Sequence, residues 1–329
     1  MTRRTKALIR VTAPLRIATR ASALALWQAR YIAGRLQQLN PARPVELVEI
    51  STSGDRNQTD PLSQFGGVGV FTREVQRALL DGRADIAVHS LKDLPTDPVD
   101  GLTLAAVPER APTHDALVLP ASVSPGASTD AAVLIASLPP KARVGTGSLR
   151  RRAQLLHRRP DLALEEVRGN VDTRLRKLDE GQYDALVLAE AGLTRLGLAA
   201  RITARMVPPL MYPAVGQGAL GLESRTDDDA TRAALAPLSD ASTYTSILAE
   251  RALLAALRAG CHAPLGVAVT TQAERLHLEA VVLSPDGTQR IVADFEGEAS
   301  RPVEAGRGLA EKLRLLGAEA LIGRSGATA

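Results

Sequence analysis

Three stretches of the sequence carry residue types that could do chemistry. Residues 144–152 read Val-Gly-Thr-Gly-Ser-Leu-Arg-Arg-Arg, 89–93 read His-Ser-Leu-Lys-Asp, and 259–264 read Ala-Gly-Cys-His-Ala-Pro. In the first, a strand and a glycine turn lead into a helix opening at Ser148, whose hydroxyl suits an N-cap. Leu149, Ala153 and Leu156 recur at helical spacing until Pro160 stops the run. A helix N-terminus favours acids, so Arg150, Arg151 and Arg152 in the first turn are unfavourable unless an anion sits among them. A solvated face in an arginine-rich chain is the plain alternative. The guanidinium fork suits carboxylate or phosphate. Without a Gly-x-x-x-x-Gly-Lys-Ser/Thr loop, carboxylate is favoured. Arg168 and Arg174 flank a second strand-to-helix turn and could join the same site.

Lys92-Asp93 reads either as an exposed ion pair or as an acid held ionised among cations, where it could stabilise a cationic intermediate. Cys261 is the only cysteine, which rules out an intrachain disulfide and suits a reducing compartment. A lone thiol is ordinarily a small buried filler, but the Gly-Cys-His-x-Pro setting raises the prospect of a reactive one. With no second cysteine and scattered histidines, no metal site is expected.

Composition narrows the classes. At 329 residues the chain suggests two or three domains, and 45% hydrophobic content supports real cores. Aromatic residues are only 2%, so those cores are aliphatic and base-stacking platforms are scarce. The net charge of +4 is too small to argue for nucleic acid. Residues 143–176 nevertheless hold nine arginines against four acids, a local excess larger than that of the whole chain. Residues 1–14 are basic, lack the apolar run of a secretory signal, and read as a disordered extension. No run of about 18 apolar residues is present, so no membrane span is expected.

The elements that must position these residues follow a repeated βα pattern. A strand at 15–19 leads through Arg20 and Ser22, a cap, to a helix at 23–39; strands at 45–50 and 86–88 and a helix near 72–80 complete one αβ unit. After a Pro/Gly/Ser-rich stretch between 120 and 140 the pattern returns, with strands at 143–146, 162–167 and 185–189 and helices at 149–159 and 172–179. The order βαβαβ argues for two parallel sheets covered by helices. In such sheets ligands bind beyond the carboxyl ends of the strands. Those ends carry Thr19, Arg20 and Ser22, then Ser90, Lys92 and Asp93, then Thr146, Ser148 and Arg168, which converge if the units face each other. From about Tyr244 the texture becomes that of a small α+β domain: a helix at 247–257, strands at 267–269, 276–283 and 290–295, and a closing helix near 303–316.

From Arg16 to the last helix the chain resembles the porphobilinogen deaminase (hydroxymethylbilane synthase) family. The matching segments are 16–22 (Arg-Ile-Ala-Thr-Arg-Ala-Ser), 84–93 (Ala-Asp-Ile-Ala-Val-His-Ser-Leu-Lys-Asp) and 144–151 (Val-Gly-Thr-Gly-Ser-Leu-Arg-Arg). They continue with 168–170 (Arg-Gly-Asn), 178–179 (Leu-Asp), 183–185 (Tyr-Asp-Ala), 191–197 (Ala-Gly-Leu-Thr-Arg-Leu-Gly), 213–218 (Pro-Ala-Val-Gly-Gln-Gly) and Gly260-Cys261. The resemblance implies an α/β fold: two periplasmic-binding-protein-like αβ domains (15–110 with 216–238, and 111–215) and a small C-terminal α+β domain (239–329). It also implies a dipyrromethane cofactor joined by a thioether to Cys261. On it four porphobilinogen molecules are condensed with loss of ammonia, in heme and tetrapyrrole biosynthesis. By the same resemblance Asp93 is the catalytic acid. Arg20, Ser22, Ser90, Lys92, Thr146, Ser148, Arg150, Arg151, Arg168, Arg174 and Arg195 bind cofactor or substrate, and the protein is a cytoplasmic monomer with no nucleic-acid or membrane partner. The chain departs from the family pattern at Gln64 and Val68, where loop lysines are common, at Gly147, where serine is frequent, and at Thr113-His114, where an acid-proline-arginine run is usual. The rival readings are a non-enzymatic carboxylate-binding protein, a Cys261-dependent hydrolase with His262 as base, and a nucleic-acid binder using the same arginines.

Overall fold

The computed structural model describes residues 13–52, 69, 72–123, 128–260 and 263–323. Residues 1–12 of the expected extension, Gln64, Val68, Cys261 and His262 lie outside these. In chain order the first elements are β1 (Leu15–Thr19), α1 (Ala23–Leu39), β2 (Val45–Glu49), α2 (Arg73–Leu80), β3 (Ile86–Ser90) and β4 (Leu102–Ala106). Next come β5 (Asp115–Val118), α3 (Ala131–Ser137), β6 (Arg143–Gly145), α4 (Leu149–Arg158), β7 (Ala163–Glu165), α5 (Val171–Asp179), β8 (Ala185–Ala189), α6 (Glu190–Arg195) and β9 (Ala204–Met206). The chain then returns through β10 (Leu220–Arg225) and α7 (Asp229–Leu235). It ends with α8 (Ala241–Ala256), β11 (Leu265–Gln272), β12 (Arg275–Leu283), β13 (Arg290–Glu298), α9 (Pro302–Leu315) and α10 (Ala318–Gly323).

Two five-stranded sheets have matching designs, ordered β2-β1-β3-β10-β4 and β7-β6-β8-β5-β9. The expectation of purely parallel sheets is corrected here. β10 runs antiparallel to β3 and β4, and β5 antiparallel to β8 and β9. The reason lies in the connections. Each of these strands begins where the chain arrives from the other sheet, at the carboxyl ends of the parallel strands, and must run away from that edge. Leu220 thus pairs with Ser90, and Asp115 with Ala189.

Aliphatic layers hold each sheet between helices. Ile17, Ile86 and Leu222 pack under Ala29, Ile32 and Leu36 of α1, while Ala18, Ala87 and Ile50 meet Val75, Ala78 and Leu79 of α2 on the other face. In the second sheet Val144, Ala185 and Val187 pack with Leu134, Ile135 and Leu155, and Leu186 and Leu188 with Leu175, Leu178 and Leu193. Such burial contributes about 1.5–3 kcal/mol per large side chain. The third body is an antiparallel β11-β12-β13 sheet covered by Leu253 of α8 and Leu309 and Leu313 of α9.

Helices α3, α6, α7 and α10 have no counterpart among the expected elements, and α8 is longer than expected. Within the stretch read as a linker, Asp130 caps α3 by accepting from the Ala132 and Val133 N–H groups at 2.7 and 3.4 Å. Likewise α8 begins at Ala241 rather than 247, because Asp240 accepts from Thr243 N–H at 2.7 Å and carries a weakly helical Ser-Thr-Tyr-Thr-Ser run into the helix.

Candidate active site

The carboxyl ends of the two sheets face a common cleft of about 380 Å³, within the range that holds small ligands. β1 ends at Thr19, and Ser22 caps α1 by accepting from Ala25 N–H at 3.4 Å, which brings Arg20 and Ser22 to the wall. β3 delivers Ser90, then a tight 3-10 turn, Leu91–Asp93, throws Lys92 and Asp93 over the opening. In the second lobe the turn after β6 supplies Ser148 and the first turn of α4 Arg150 and Arg151, while the turn before α5 supplies Arg168 and α5 itself Arg174. Arg195 enters from the end of α6. Eleven of the thirteen residues singled out in the sequence therefore line one cavity. Thr146 does not. It is buried, and its Oγ1 accepts the Ser148 N–H at 3.3 Å, so it acts on Ser148 from behind. Cys261 lies outside the described residues.

Ser148 occupies the cap position of α4, yet its hydroxyl makes no capping bond and lines the cavity instead. The arginine-rich first turn also differs from a simple ligand cradle. Arg150 and Arg151 are buried, and both grip Asp115 at the start of β5, at 2.7 and 2.8 Å. Arg150 Nη1 also donates to Tyr212 O at 2.5 Å, and Arg151 Nη1 to Val187 O at 2.9 Å. Arg152 turns away and donates to Leu164 O at 2.7 Å. The anion demanded by this helix start is thus supplied in part by the chain itself. Burial would raise the Asp115 carboxyl, but the two guanidiniums hold it well below the usual carboxylate range. Two cations on one carboxylate leave a net positive charge at the cavity wall.

Other cations there have less compensation. Burial pushes Lys92 down to about 8, offset only partly by Asp93 and further lowered by Arg151. Part of the Lys92 surface still opens onto the cleft. Arg174 donates Nε–H to Gly169 O at 2.8 Å, and burial followed by the charges of Arg151 and Arg168 lowers it to about 10. Asp93 acts electrostatically on Lys92, Arg151 and Arg174. Its carboxylate is exposed to the cleft and accepts no hydrogen bond among the described residues. The donor set is that of a site for a small molecule bearing several carboxylates, presented to one open acid. That fits a dipyrromethane, whose two rings carry an acetate and a propionate each.

Several residues that hold this geometry carried little local signal in the sequence. Gln28, on α1, donates to Ser90 Oγ at 2.8 Å. Gln217 donates to Thr113 O and Asp115 Oδ1, at 2.6 and 3.0 Å. Gly218 adopts φ +84°, and a Cβ there would stand 2.4 Å from Ala111 O, so only glycine lets the two crossings lie together. Gln217 and Gly218 fall in a segment singled out by its residue pattern, without a role. Gln28 had no such mark beyond being polar between apolar neighbours, and Asp115 none beyond following Thr113-His114.

These features define a class of site: a cleft between two αβ lobes whose wall gathers cations around a single exposed aspartate. The family model described as porphobilinogen deaminase, dipyrromethane cofactor binding domain, matches residues 15–233, and that of the porphobilinogen deaminase C-terminal domain matches 244–314. Porphobilinogen deaminases from two strains of Acidithiobacillus ferrooxidans are each 46% identical over 308 residues, covering 94% of this chain and 97% of theirs. The chain belongs to the porphobilinogen deaminase family. It condenses porphobilinogen into hydroxymethylbilane with release of ammonia, in tetrapyrrole synthesis, and its cofactor is dipyrromethane. Among the described residues no helix is long and apolar enough to cross a membrane.

Proposed function

We propose that Asp93 is the catalytic acid of this condensation and that Cys261 carries the dipyrromethane through a thioether. The observation that carries the reading is the open Asp93 carboxylate, free of hydrogen bonds among the described residues and ringed by Lys92, Arg151 and Arg174. When bound, the dipyrromethane supplies the terminal pyrrole α-carbon to which each unit adds. Arg20, Ser22, Ser90, Lys92, Ser148, Arg168, Arg174 and Arg195 bind the acetate and propionate groups of the rings. Arg150 and Arg151 contribute through the charge left over after Asp115, and Thr146 through its hold on Ser148. Asp93 accepts the pyrrole N–H of the incoming molecule. As the C–N bond of the protonated aminomethyl (ammonium) group breaks and ammonia leaves with the electron pair, Asp93 stabilises the azafulvenium cation that remains. Aligned charge of this kind contributes about 3–4 kcal/mol or more to the transition state.

In this reading residues 15–110 with 216–238 form one domain, 111–215 the second and 239–329 the third. The pairing of β10 with β3 and β4 supports the first of these. The protein works as a monomer in the cytoplasm, where a single thiol stays reduced until the cofactor takes it. Cations that converge on a cleft suit a small polycarboxylate rather than a nucleic-acid backbone. Intact mass spectrometry tests the attachment: the purified chain should exceed its sequence mass by two pyrrole units, and Cys261→Ala should show the bare mass. Asp93→Asn should retain the added mass and lose at least a thousandfold in kcat. Near-normal turnover would remove Asp93 from its role.

A further inference from the structure

Arg195 is the cavity cation held in the least usual way. Its Nη2 donates to Gly218 O at 2.7 Å, and among the described residues no carboxylate pairs with it. Burial lowers it to about 10, so its charge needs another support. That support is aromatic. The Arg195 guanidinium carbon lies 5.8 Å from the centroid of the Trp27 ring. Trp27 in turn stacks on Tyr31, with centroids 5.4 Å apart and planes 6° from parallel. Arg35 closes the far end, donating to Tyr31 Oη at 3.0 Å and lying 5.9 Å from the same ring.

The ladder Arg195–Trp27–Tyr31–Arg35 spans two elements from different sheets. Trp27 and Tyr31 project from α1 of the first, and Arg195 ends α6 of the second. These helices approach closely enough that a Cβ on Gly192 would lie 3.8 Å from Leu24 Cδ2. Trp27 is the only tryptophan in a chain with 2% aromatic residues, and it is 36% exposed. A large ring on the surface is not core filler, and here its face covers a cation that reaches into the cleft. Cation–π contacts of this type strengthen as the cation is desolvated.

We propose that Trp27 is a positioning residue for the condensation: braced by Tyr31, its ring fixes the Arg195 guanidinium at the cavity across the junction of the two sheets. The inference rests on the reading of Arg195 as a carboxylate-binding residue. Trp27→Leu raises KM for porphobilinogen about five- to tenfold with kcat within about twofold, and Trp27→Phe, which keeps a ring face, restores KM to within about twofold of the parent. Arg195→Met raises KM at least as much, and adding Trp27→Leu to it raises KM no further. If Arg195→Met leaves KM unchanged, the carboxylate role of Arg195 falls and the inference with it. If Arg195→Met raises KM but Trp27→Leu does not, or if the two effects multiply, the positioning role alone is overturned. The sole tryptophan supplies a second readout that needs no Trp27 variant. Its emission should differ between the parent and Arg195→Met, because the ring face then meets water. Identical emission overturns the proposal.

Discussion

Lys92 and Asp93 are neighbours in sequence with opposite exposures to risk. The lysine charge is desolvated, and below about 8 this opposes folding, because the folded chain must keep a buried ammonium. The opposition is relieved as pH rises from about 8 toward the ordinary lysine value. Binding has the opposite sign. The ammonium that attracts a carboxylate is present below about 8 and lost above it. KM for porphobilinogen, measured from pH 7 to 10, should therefore climb beyond about pH 8. In Lys92→Arg the rise should disappear, since guanidinium stays charged. A KM that is flat in the parent chain would count against Lys92 as a carboxylate ligand. At this scale the sequence was informative where chemistry is local: Ser22 as a cap and Lys92-Asp93 at a strand end were both legible. Asp115 was not, because its partners Arg150 and Arg151 lie 35 and 36 residues away, and nothing adjacent to it announces a buried pair.

The helix start at α4 shows how an element can be both structural and functional. Three arginines in a first turn signalled an anion, and the fold supplies one from β5 before any ligand arrives. Asp115 should therefore matter more to stability than any exposed acid of the chain. Asp115→Asn leaves two buried guanidiniums sharing a neutral amide, and should cost about 3–5 kcal/mol, read as a lower urea midpoint. Asp161→Asn removes the partner of Arg159 on the surface and should shift that midpoint little. A small effect for Asp115→Asn would mean that Arg150 and Arg151 are held chiefly by Tyr212 O, Val187 O and packing. Strands and helices were legible to a similar degree: β4, β5, β9 and β10 and the short helices α3, α6, α7 and α10 gave no clear local signal. β5 (Asp-Ala-Leu-Val) and β10 (Leu-Gly-Leu-Glu-Ser-Arg) are too short for a periodicity to separate strand from helix, and their reversed direction follows from the path between sheets, which no local pattern encodes.

At the scale of the molecule, the third body is tied to both crossings. Arg110 forks onto Glu250 of α8 at 2.5 and 3.0 Å and donates Nε–H to Gln217 O at 2.8 Å, while Glu250 also accepts the Gly216 N–H at 2.7 Å. Tyr212 reaches Glu279 of β12 at 2.6 Å, and His157 of α4 donates Nδ1–H to Gly287 O at 2.9 Å. Because Glu250 is buried and serves both crossings, Glu250→Ala should lower Tm by several degrees, for a loss of about 3 kcal/mol or more. Calorimetry should also show the single transition broadening as the third body uncouples. A Tm and width equal to the parent's would show that the fork is dispensable. The three-body layout was legible from the repeated βα pattern and the later change of texture; these ties were not, because each joins residues more than thirty positions apart. The placement of β10 between β3 and β4 also sets an order of events during synthesis. The first sheet has a gap between β3 and its edge strand β4 until residues 220–225 leave the ribosome, whereas every strand of the second sheet is complete by Met206. The sheet encoded later should become protease-resistant first, so that chains ending just past 215 and released from the ribosome protect β5 to β9 while β1 to β4 remain open to cleavage.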